Sequence, residues 1–436
     1  MFKSRAVYTL LVHAALVWAV PRLVWRARKQ PDYLKNVSER FGYYRGVIEK
    51  PVIWLHAVSV GETRAAAPLI ARLKQSYPGH QILVTNMTPT GRETSEKLFN
   101  DQVMRCYLPY DFPSAVSRFL KHYRPVLGLL IETEIWFNLI HACSKNNIPL
   151  MLVNARLSEK SAARYQRIGK LTAKALGELA IVAAQSEADA ERLKSLGANH
   201  VRVSGNLKFD LTPPDSAPFA AELLRGQFGR GRRVFLAAST RDGEEALILD
   251  VLPRINVANL LTVIVPRHPQ RFDEVGALLE KRGIRYQRRS TNVVISPITQ
   301  VLLGDSMGEL FAYYGACDVA FIGGSLLPYG GQNLIEACAM GVPVLIGPHH
   351  YNFVDATELA KSAGAAIVVR DAAELAAEAT RLLKDSVARR EIGKRALDYS
   401  RAHQGATARV MAMIIDAMEA REQAVTPHPS SPLTPH

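Results

Sequence analysis

Several things are scarce in this sequence, and each scarcity excludes a class of protein. Cysteine occurs only four times in 436 residues, at Cys106, Cys143, Cys317 and Cys338, with no C-x-x-C pair and no histidine at zinc spacing. A disulfide scaffold and a structural zinc site are thereby excluded, and a reducing compartment fits best. Glycine (28) and proline (24) stay at ordinary levels, so the chain is neither collagen-like nor of low complexity. There is no GxxxxGK(S/T) loop, no G-x-S-x-G elbow and no H-E-x-x-H pair, which argues against P-loop ATPases, α/β-hydrolases and zincins. A D-x-D pair to hold a divalent metal on a diphosphate is missing too. With 48% apolar and 22% charged residues, a mainly disordered chain and a polytopic membrane protein are both ruled out.

Acidic residues are scarcest at the start. Residues 1–50 hold ten Lys/Arg against three Asp/Glu, a net of +7, half of the +14 total. Such a basic end points to an anionic surface, membrane or nucleic acid. Ala6 to Val20 carries no formal charge, and from Arg5 to Arg22 sixteen uncharged residues would make about 24 Å of helix, short of a roughly 30 Å hydrocarbon core. Snorkelling Arg5 and Arg22 could cover the shortfall. Trp18 and Trp25 suit a lipid boundary. Arg22, Arg26, Arg28 and Lys29 on the C-terminal side predict that the body of the protein stays cytoplasmic. Pro21-Arg22 is no signal-peptidase site, and the cations flank an apolar run instead of forming a polar face, which disfavours nucleic acid. Residues 1–30 therefore read as a membrane anchor, spanning or interfacial, with an ordinary buried helix as the competing reading.

From Pro51 onward, short apolar runs alternate with helical stretches, the pattern of parallel sheets covered on both faces. The first series comprises PVIWLHAVSV, QILVTNM, VMRCYLPYD, VLGLLIETE, PLMLVNARLS, AIVAAQS and VRVSGNLKFD. Pro213, Pro214 and Pro218 break the rhythm, so 211–232 is expected to be a linker. The second series comprises VFLAAST, LLTVIVPRHP, NVVIS, VLLGDSM, VAFIGGS, PVLIGP and AAIVVRD. The expected organisation is an α/β chain with two doubly wound, Rossmann-like domains over 31–210 and 233–422, facing across a cleft, and a disordered tail over 423–436.

Ligands of such sheets bind beyond the carboxyl ends of the strands. Glu62, in HAVSVGE, sits at a strand-to-helix turn and either accepts a proton or complements the positive helix end. Glu132 and Glu134 end another strand and either orient a cationic partner, hold an acceptor hydroxyl, or form a helix-start charge pair. Lys208 ends a third and either meets developing negative charge or is a solvated boundary lysine. In the second half, Ser239 and Thr240 read as a helix cap before acids, or with Arg241 as phosphate contacts. Arg267 and His268 follow a strand between two prolines, and the planar guanidinium suits phosphate. Met307, Gly308 and Glu309 could line a base or ribose pocket. Asn333, Leu334, Ile335 and Glu336, at a helix start after the glycine pairs 323–324 and 330–331, read as a nucleotide site.

Taken in order, HAVSVGE, TPTG, LPYD, ETEIW, NARLS, GNLKFD, AAST, PRHPQRF, GDSMGEL and GGS…GGQNLIE…GVPVLIGP resemble the 3-deoxy-D-manno-octulosonic acid (Kdo) transferases of lipopolysaccharide synthesis, over nearly the whole chain. The resemblance implies a two-lobed glycosyltransferase of the GT-B type, with an acceptor-binding N-terminal and a CMP-sugar-binding C-terminal domain. It implies transfer of Kdo from CMP-Kdo to lipid IVA at the cytoplasmic face of the inner membrane, with inversion, no cofactor, no metal and no nucleic acid. It implies Glu62 as general base and Glu132 and Lys208 as transition-state stabilisers. Arg267, His268, 307–309 and 333–336 are implied as CMP-binding segments. Many relatives carry His where this chain has Arg241, which alters the local donor contact. The competing readings are a UDP-sugar transferase, a UDP-N-acetylglucosamine 2-epimerase and a non-enzymatic membrane-bound nucleotide sensor.

Overall fold

The computed structural model describes residues 4–29 and 31–425. The side chains of Trp18, Arg22, Arg26 and Lys29, and residues 426–436 of the expected tail, lie outside the described set. The chain divides into two compact units: one runs through Asp210 and resumes at Gln404, the other is Leu211–His403.

The first unit is built on seven parallel strands: β1 (Val52–His56), β2 (Gln81–Asn86), β3 (Met104–Tyr107), β4 (Pro125–Ile131), β5 (Leu150–Ala155), β6 (Ile181–Ala184) and β7 (Val201–Val203). Their order is β3-β2-β1-β4-β5-β6-β7, so the winding reverses between β1 and β4. β1 is buried along its whole length because helices cover both faces of the sheet. Trp54 lies in register with Gly128. A Cβ on Gly128 would come within 2.9 Å of the Trp54 ring and 2.6 Å of Leu150, so only glycine lets the indole lie flat against β4. The indole N–H donates to Thr85 Oγ1 at 2.8 Å.

The second unit carries β8 (Arg233–Thr240), β9 (Leu260–Pro266), β10 (Tyr286–Arg288), β11 (Val301–Leu303), β12 (Val319–Ile322), β13 (Val344–Ile346) and β14 (Ala366–Val368). These are also all parallel, in the order β10-β11-β9-β8-β12-β13-β14, with the reversal between β8 and β12. One expected strand is absent. NVVIS is a loop with Val293 and Val294 exposed, and the edge position is taken by Tyr286–Arg288. Pro297 and the left-handed Asn292 (φ 52°) bracket that loop and prevent a strand.

Three boundaries need correction. The expected linker contains the helix Ala217–Phe228, which buries Ala217, Ala221, Leu224 and Phe228 on one face. It packs so closely on the helix Leu310–Ala316 that a Cβ on Gly315 would meet Ala221 at 2.6 Å. The second domain does not extend to 422. The chain returns to the first unit at Gln404, where the helix Ala406–Val425 adds Val410, Met411, Ile414, Ala417 and Met418 to the core holding Leu69, Leu73 and Leu127. Asp210 caps this helix, accepting from Gly405 N at 2.7 Å and from Thr407 N, and Arg409 donates to Ser204 O at 2.7 Å. Residues 423–425, assigned to the tail from sequence, continue it.

The N-terminal stretch is the helix Arg5–Lys29. Among the described residues no helix is long and apolar enough to cross a membrane. Its beginning is fixed to the first unit: Tyr8 OH donates to Asp111 at 2.9 Å, Thr9 Oγ1 donates to Asn138 at 3.0 Å, and the Tyr8 ring meets Phe137 edge-on at 4.9 Å.

Because Ile414 is fully buried in the first unit's core, Ile414→Ala should destabilise that unit by about 2–5 kcal/mol. Hydrogen exchange should rise in β1 and β4 while β8 and β12 keep their protection.

Candidate functional site

In the first unit the site forms around the β1/β4 reversal. Glu62 occupies the third position of the short helix Val60–Ala65, which begins at Ser59. Ser59 Oγ donates to Glu62 Oε1 at 2.7 Å, and Val58 N donates to Oε2 at 2.7 Å. The helix-start reading of Glu62 thus holds, and the residue also stands at the carboxyl end of β1. Its carboxyl is nonetheless pushed up, first by burial, then by the nearby Glu132, while the Ser59 and Val58 bonds and Lys208 oppose the shift.

Glu132 follows β4 in the left-handed region, φ 62°, a costly conformation for a non-glycine residue. The bond from Glu132 N to Val153 O at 2.9 Å holds it there. Its Oε1 receives Lys208 Nζ at 3.2 Å, so residues 76 positions apart form an ion pair. Lys208 rides on the 3-10 turn Leu207–Asp210. That turn is fixed by Asn154, a wholly buried residue also left-handed (φ 58°), whose Oδ1 accepts from Leu207 N at 3.0 Å. Glu134 completes the group. Burial, followed by repulsion from Glu62 and Glu132, pushes its carboxyl up to about 7. Three carboxylates thus stand together, one of them paired with Lys208, and an environment that raises carboxyl pKa values suits proton transfer near neutrality.

In the second unit the corresponding reversal, β8/β12, is organised by a carboxylate not singled out from sequence. Glu244 is wholly buried and accepts from Arg241 N at 2.8 Å and from Gly324 N, Ser325 N and Leu326 N at 2.5, 2.9 and 2.9 Å. Glu244 therefore occupies the amides of the glycine loop at 324–326. The loop must be close: a Cβ on Gly323 would lie 2.5 Å from Ser239 O. The helix start also moves. Gly243, not Ser239 or Thr240, caps Glu244–Val251, and Ser239 is left-handed at φ 57°. Thr240 is buried, its hydroxyl donating to Glu245 at 2.7 Å.

Arg267 and His268 project beyond β9. Arg267 Nε donates to Gln332 Oε1 at 3.2 Å. Arg241 Nη1 lies 3.0 Å from His268 Nε2, with its guanidinium 4.7 Å from the centre of the Tyr329 ring. The His268 imidazole is held low by burial and then by Arg241, Arg267 and Arg271, so it is neutral and accepts from Arg241. Met307 is exposed, Gly308 is left-handed at φ 83°, and Glu309 takes an ion pair from Arg289 at 2.8 Å. These three directly precede the helix Leu310–Ala316. Asn333 Nδ2 donates to Glu336 Oε1 at 3.2 Å, and Asn333 Oδ1 accepts from Ile335 N at 3.0 Å. Leu334 and Ile335 have wholly buried side chains, so only their backbone can meet a ligand.

The structure thus brings Glu62, Glu132, Glu134 and Lys208 together in one unit, and Arg241, Arg267 and His268 with Gln332 in the other. Sequence reasoning passed over Asn154, Glu244 and Gln332. Asn154 and Gln332 lay inside quoted motifs and Glu244 just after one, but polar residues that bond to backbone or to another side chain carry no pattern to mark them.

Known proteins resemble this chain over most of its length. Residues 35–211 match the family described as 3-deoxy-D-manno-octulosonic-acid transferase (kdotransferase), and residues 275–398 match glycosyl transferases group 1. A 3-deoxy-D-manno-octulosonic acid transferase of Bordetella pertussis is 40% identical, covering 95% of this chain and 99% of the relative. One from Haemophilus influenzae is 38% identical, covering 90% and 93%. Among solved structures, the UDP-GlcNAc 2-epimerase of Neisseria meningitidis superposes with a TM-score of 0.58 at 15% identity, over 84% of this chain and 100% of that one, a likeness of fold alone.

Since Glu62 helps hold Glu134 up at about 7, Glu62→Gln should lower the Glu134 midpoint, read by carboxyl-carbon NMR. The folded state keeps a Glu134 proton that the unfolded chain, titrating near 4.5, has released. Stability should therefore fall as pH rises from about 4.5 to about 7, and Glu134→Gln should flatten that slope in denaturant titrations.

Proposed function

The chain belongs to the 3-deoxy-D-manno-octulosonic acid (Kdo) transferase family, and from that premise we propose that it moves Kdo from CMP-Kdo to lipid IVA, inverting the anomeric centre and releasing CMP. The observation that carries this reading is the cluster at the β1/β4 reversal, where a desolvated Glu62 stands beside Glu132 and its Lys208 partner.

Glu62 takes the proton from a hydroxyl of the lipid A disaccharide as that oxygen forms its bond to the Kdo anomeric carbon. The bond from that carbon to the phosphate oxygen breaks on the opposite side, and CMP departs with the electron pair. Ser59 and Val58 hold the Glu62 carboxylate in one orientation before reaction. Burial raises its basicity, and the two bonds oppose that shift. Lys208, aimed by Glu132 and by the Asn154-held turn, offers positive charge where negative charge develops. Arg267, set against Gln332, suits the departing phosphate, since a guanidinium matches paired oxygens. Asn333 and Glu336, with the backbone of 334 and 335 and the Met307–Glu309 turn, would frame the nucleoside.

The reaction is proposed to take place at the cytoplasmic face of a Gram-negative inner membrane, with attachment in the interface. On the N-terminal helix, Tyr8 and Thr9 dock against the first unit while Val7, Leu10 and Leu11 are exposed, giving an apolar stripe directed away from the protein. Beside it, Arg5, Lys121, Arg124, Lys145 and Arg421 line a groove of about 960 Å³, which favours anionic headgroups.

Glu62→Gln should reduce Kdo transfer to lipid IVA by about 10²–10⁴-fold while CMP affinity stays within about twofold. Near-normal turnover would remove Glu62 from the role of base. Leu10→Asp combined with Leu11→Asp should release the protein from phosphatidylglycerol-containing vesicles in a flotation assay, and retention at the wild-type level would overturn the interfacial reading.

A further inference from the structure

The second unit carries more positive charge at the end of β8 and β9 than a nucleotide phosphate calls for. Arg241, Arg267 and Arg271 all bear on His268. Arg271 is balanced, with ion pairs to Glu245 at 2.6 Å and to Asp242 and Glu274 at 3.2 Å. Arg241 is different. The partners of its guanidinium among the described residues are His268 and the Tyr329 ring, both neutral, and no carboxylate pairs with it. Its position is nonetheless fixed. Its backbone N–H is held by Glu244 at 2.8 Å, and its stem lies over Gly324, where a Cβ would come within 3.3 Å of Arg241 Cγ and 3.1 Å of Gln332 Nε2. Gln332 in turn holds Arg267. Two guanidinia from neighbouring strand ends therefore bear on one neutral imidazole.

The donor's chemistry matches this pairing. In CMP-Kdo the anomeric carbon carries the phosphate oxygen and also, directly bonded, a carboxylate, so two anions share one carbon. CMP, the leaving product, keeps only the phosphate. We infer that Arg241 is a specificity-determining residue that binds the sugar carboxylate of the donor, leaving the phosphate to Arg267. Tyr329 and His268 hold the Arg241 fork without neutralising it, so its charge remains available to an incoming carboxylate. This inference rests on the CMP-Kdo reading of the site and deepens it.

The test compares two ligands that differ by the acidic sugar. For the wild-type protein and for Arg241→Gln and Arg241→Lys, the dissociation constant of CMP is measured by calorimetry, and the KM for CMP-Kdo by Kdo transfer to lipid IVA. Arg241→Gln should leave CMP affinity within about twofold and raise the KM for CMP-Kdo at least tenfold, with Arg241→Lys in between. A parallel fall in CMP affinity would place Arg241 on the phosphate or in loop support and overturn the inference. So would an unchanged KM for CMP-Kdo. Wild-type protein that binds CMP but transfers no Kdo would instead overturn the donor reading beneath it.

Discussion

A carboxylate taken out of water must be met by donors or give up its charge, and both units are organised by how they satisfy that demand. In each, a glutamate stands at the helix start just after the first strand of the sheet, beside the point where the winding reverses. Glu244 receives four backbone N–H groups and binds the β8 turn to the β12 loop. Glu62 receives two donors and faces other carboxylates. The first arrangement is saturated and serves as a strut. In the second, the carboxyl meets only two donors and the charge of Glu132 adds to the upward push of burial. The same residue type at equivalent places thus sits in two different environments, set by the number of donors and the sign of the neighbours.

The strand ends depend on backbone as much as on side chains. Glu132, Asn154 and Ser239 all have positive φ, each directly at or beyond a strand's carboxyl end. Such turns are unfavourable for residues with a Cβ and persist only where surrounding bonds over-determine them. Here those bonds are visible: Val153 O for Glu132, Leu207 N for Asn154, and the close seat against Gly323 for Ser239. They bring Lys208, far along the chain, to Glu132.

Much of this was legible in the sequence because parallel strands buried on both faces announce themselves as unbroken apolar runs. Trp54, Leu129 and Val153 lie in such runs, and the titratable residues that follow them fell where the winding rule places ligands. The boundaries were less legible. Ala217, Ala221, Leu224 and Phe228 have helical spacing, but three prolines nearby mask it. NVVIS has strand composition without strand pairing, because a β-propensity becomes a strand only when an edge is open to it. The helix from Ala406 is amphipathic, yet nothing in its composition says which of two similar cores it will enter. That is decided by Asp210 and Ser204, which offer its first turn and Arg409 their acceptors. Glu244 was invisible as a strut for a related reason, since the amides it fills belong to a loop 80 residues away.

The return of the helix Ala406–Val425 to the first unit has a consequence for biosynthesis. The intervening segment Leu211–His403 is contiguous and leaves the ribosome before that helix does. The earlier-made half must therefore wait, with Leu69, Leu73 and Leu127 lacking their final apolar cover, while the later-made half completes its own core. A nascent chain at that stage displays an oily face for as long as translation of the intervening segment lasts, which makes it a natural client for chaperones and makes premature termination more damaging than the few lost residues would suggest.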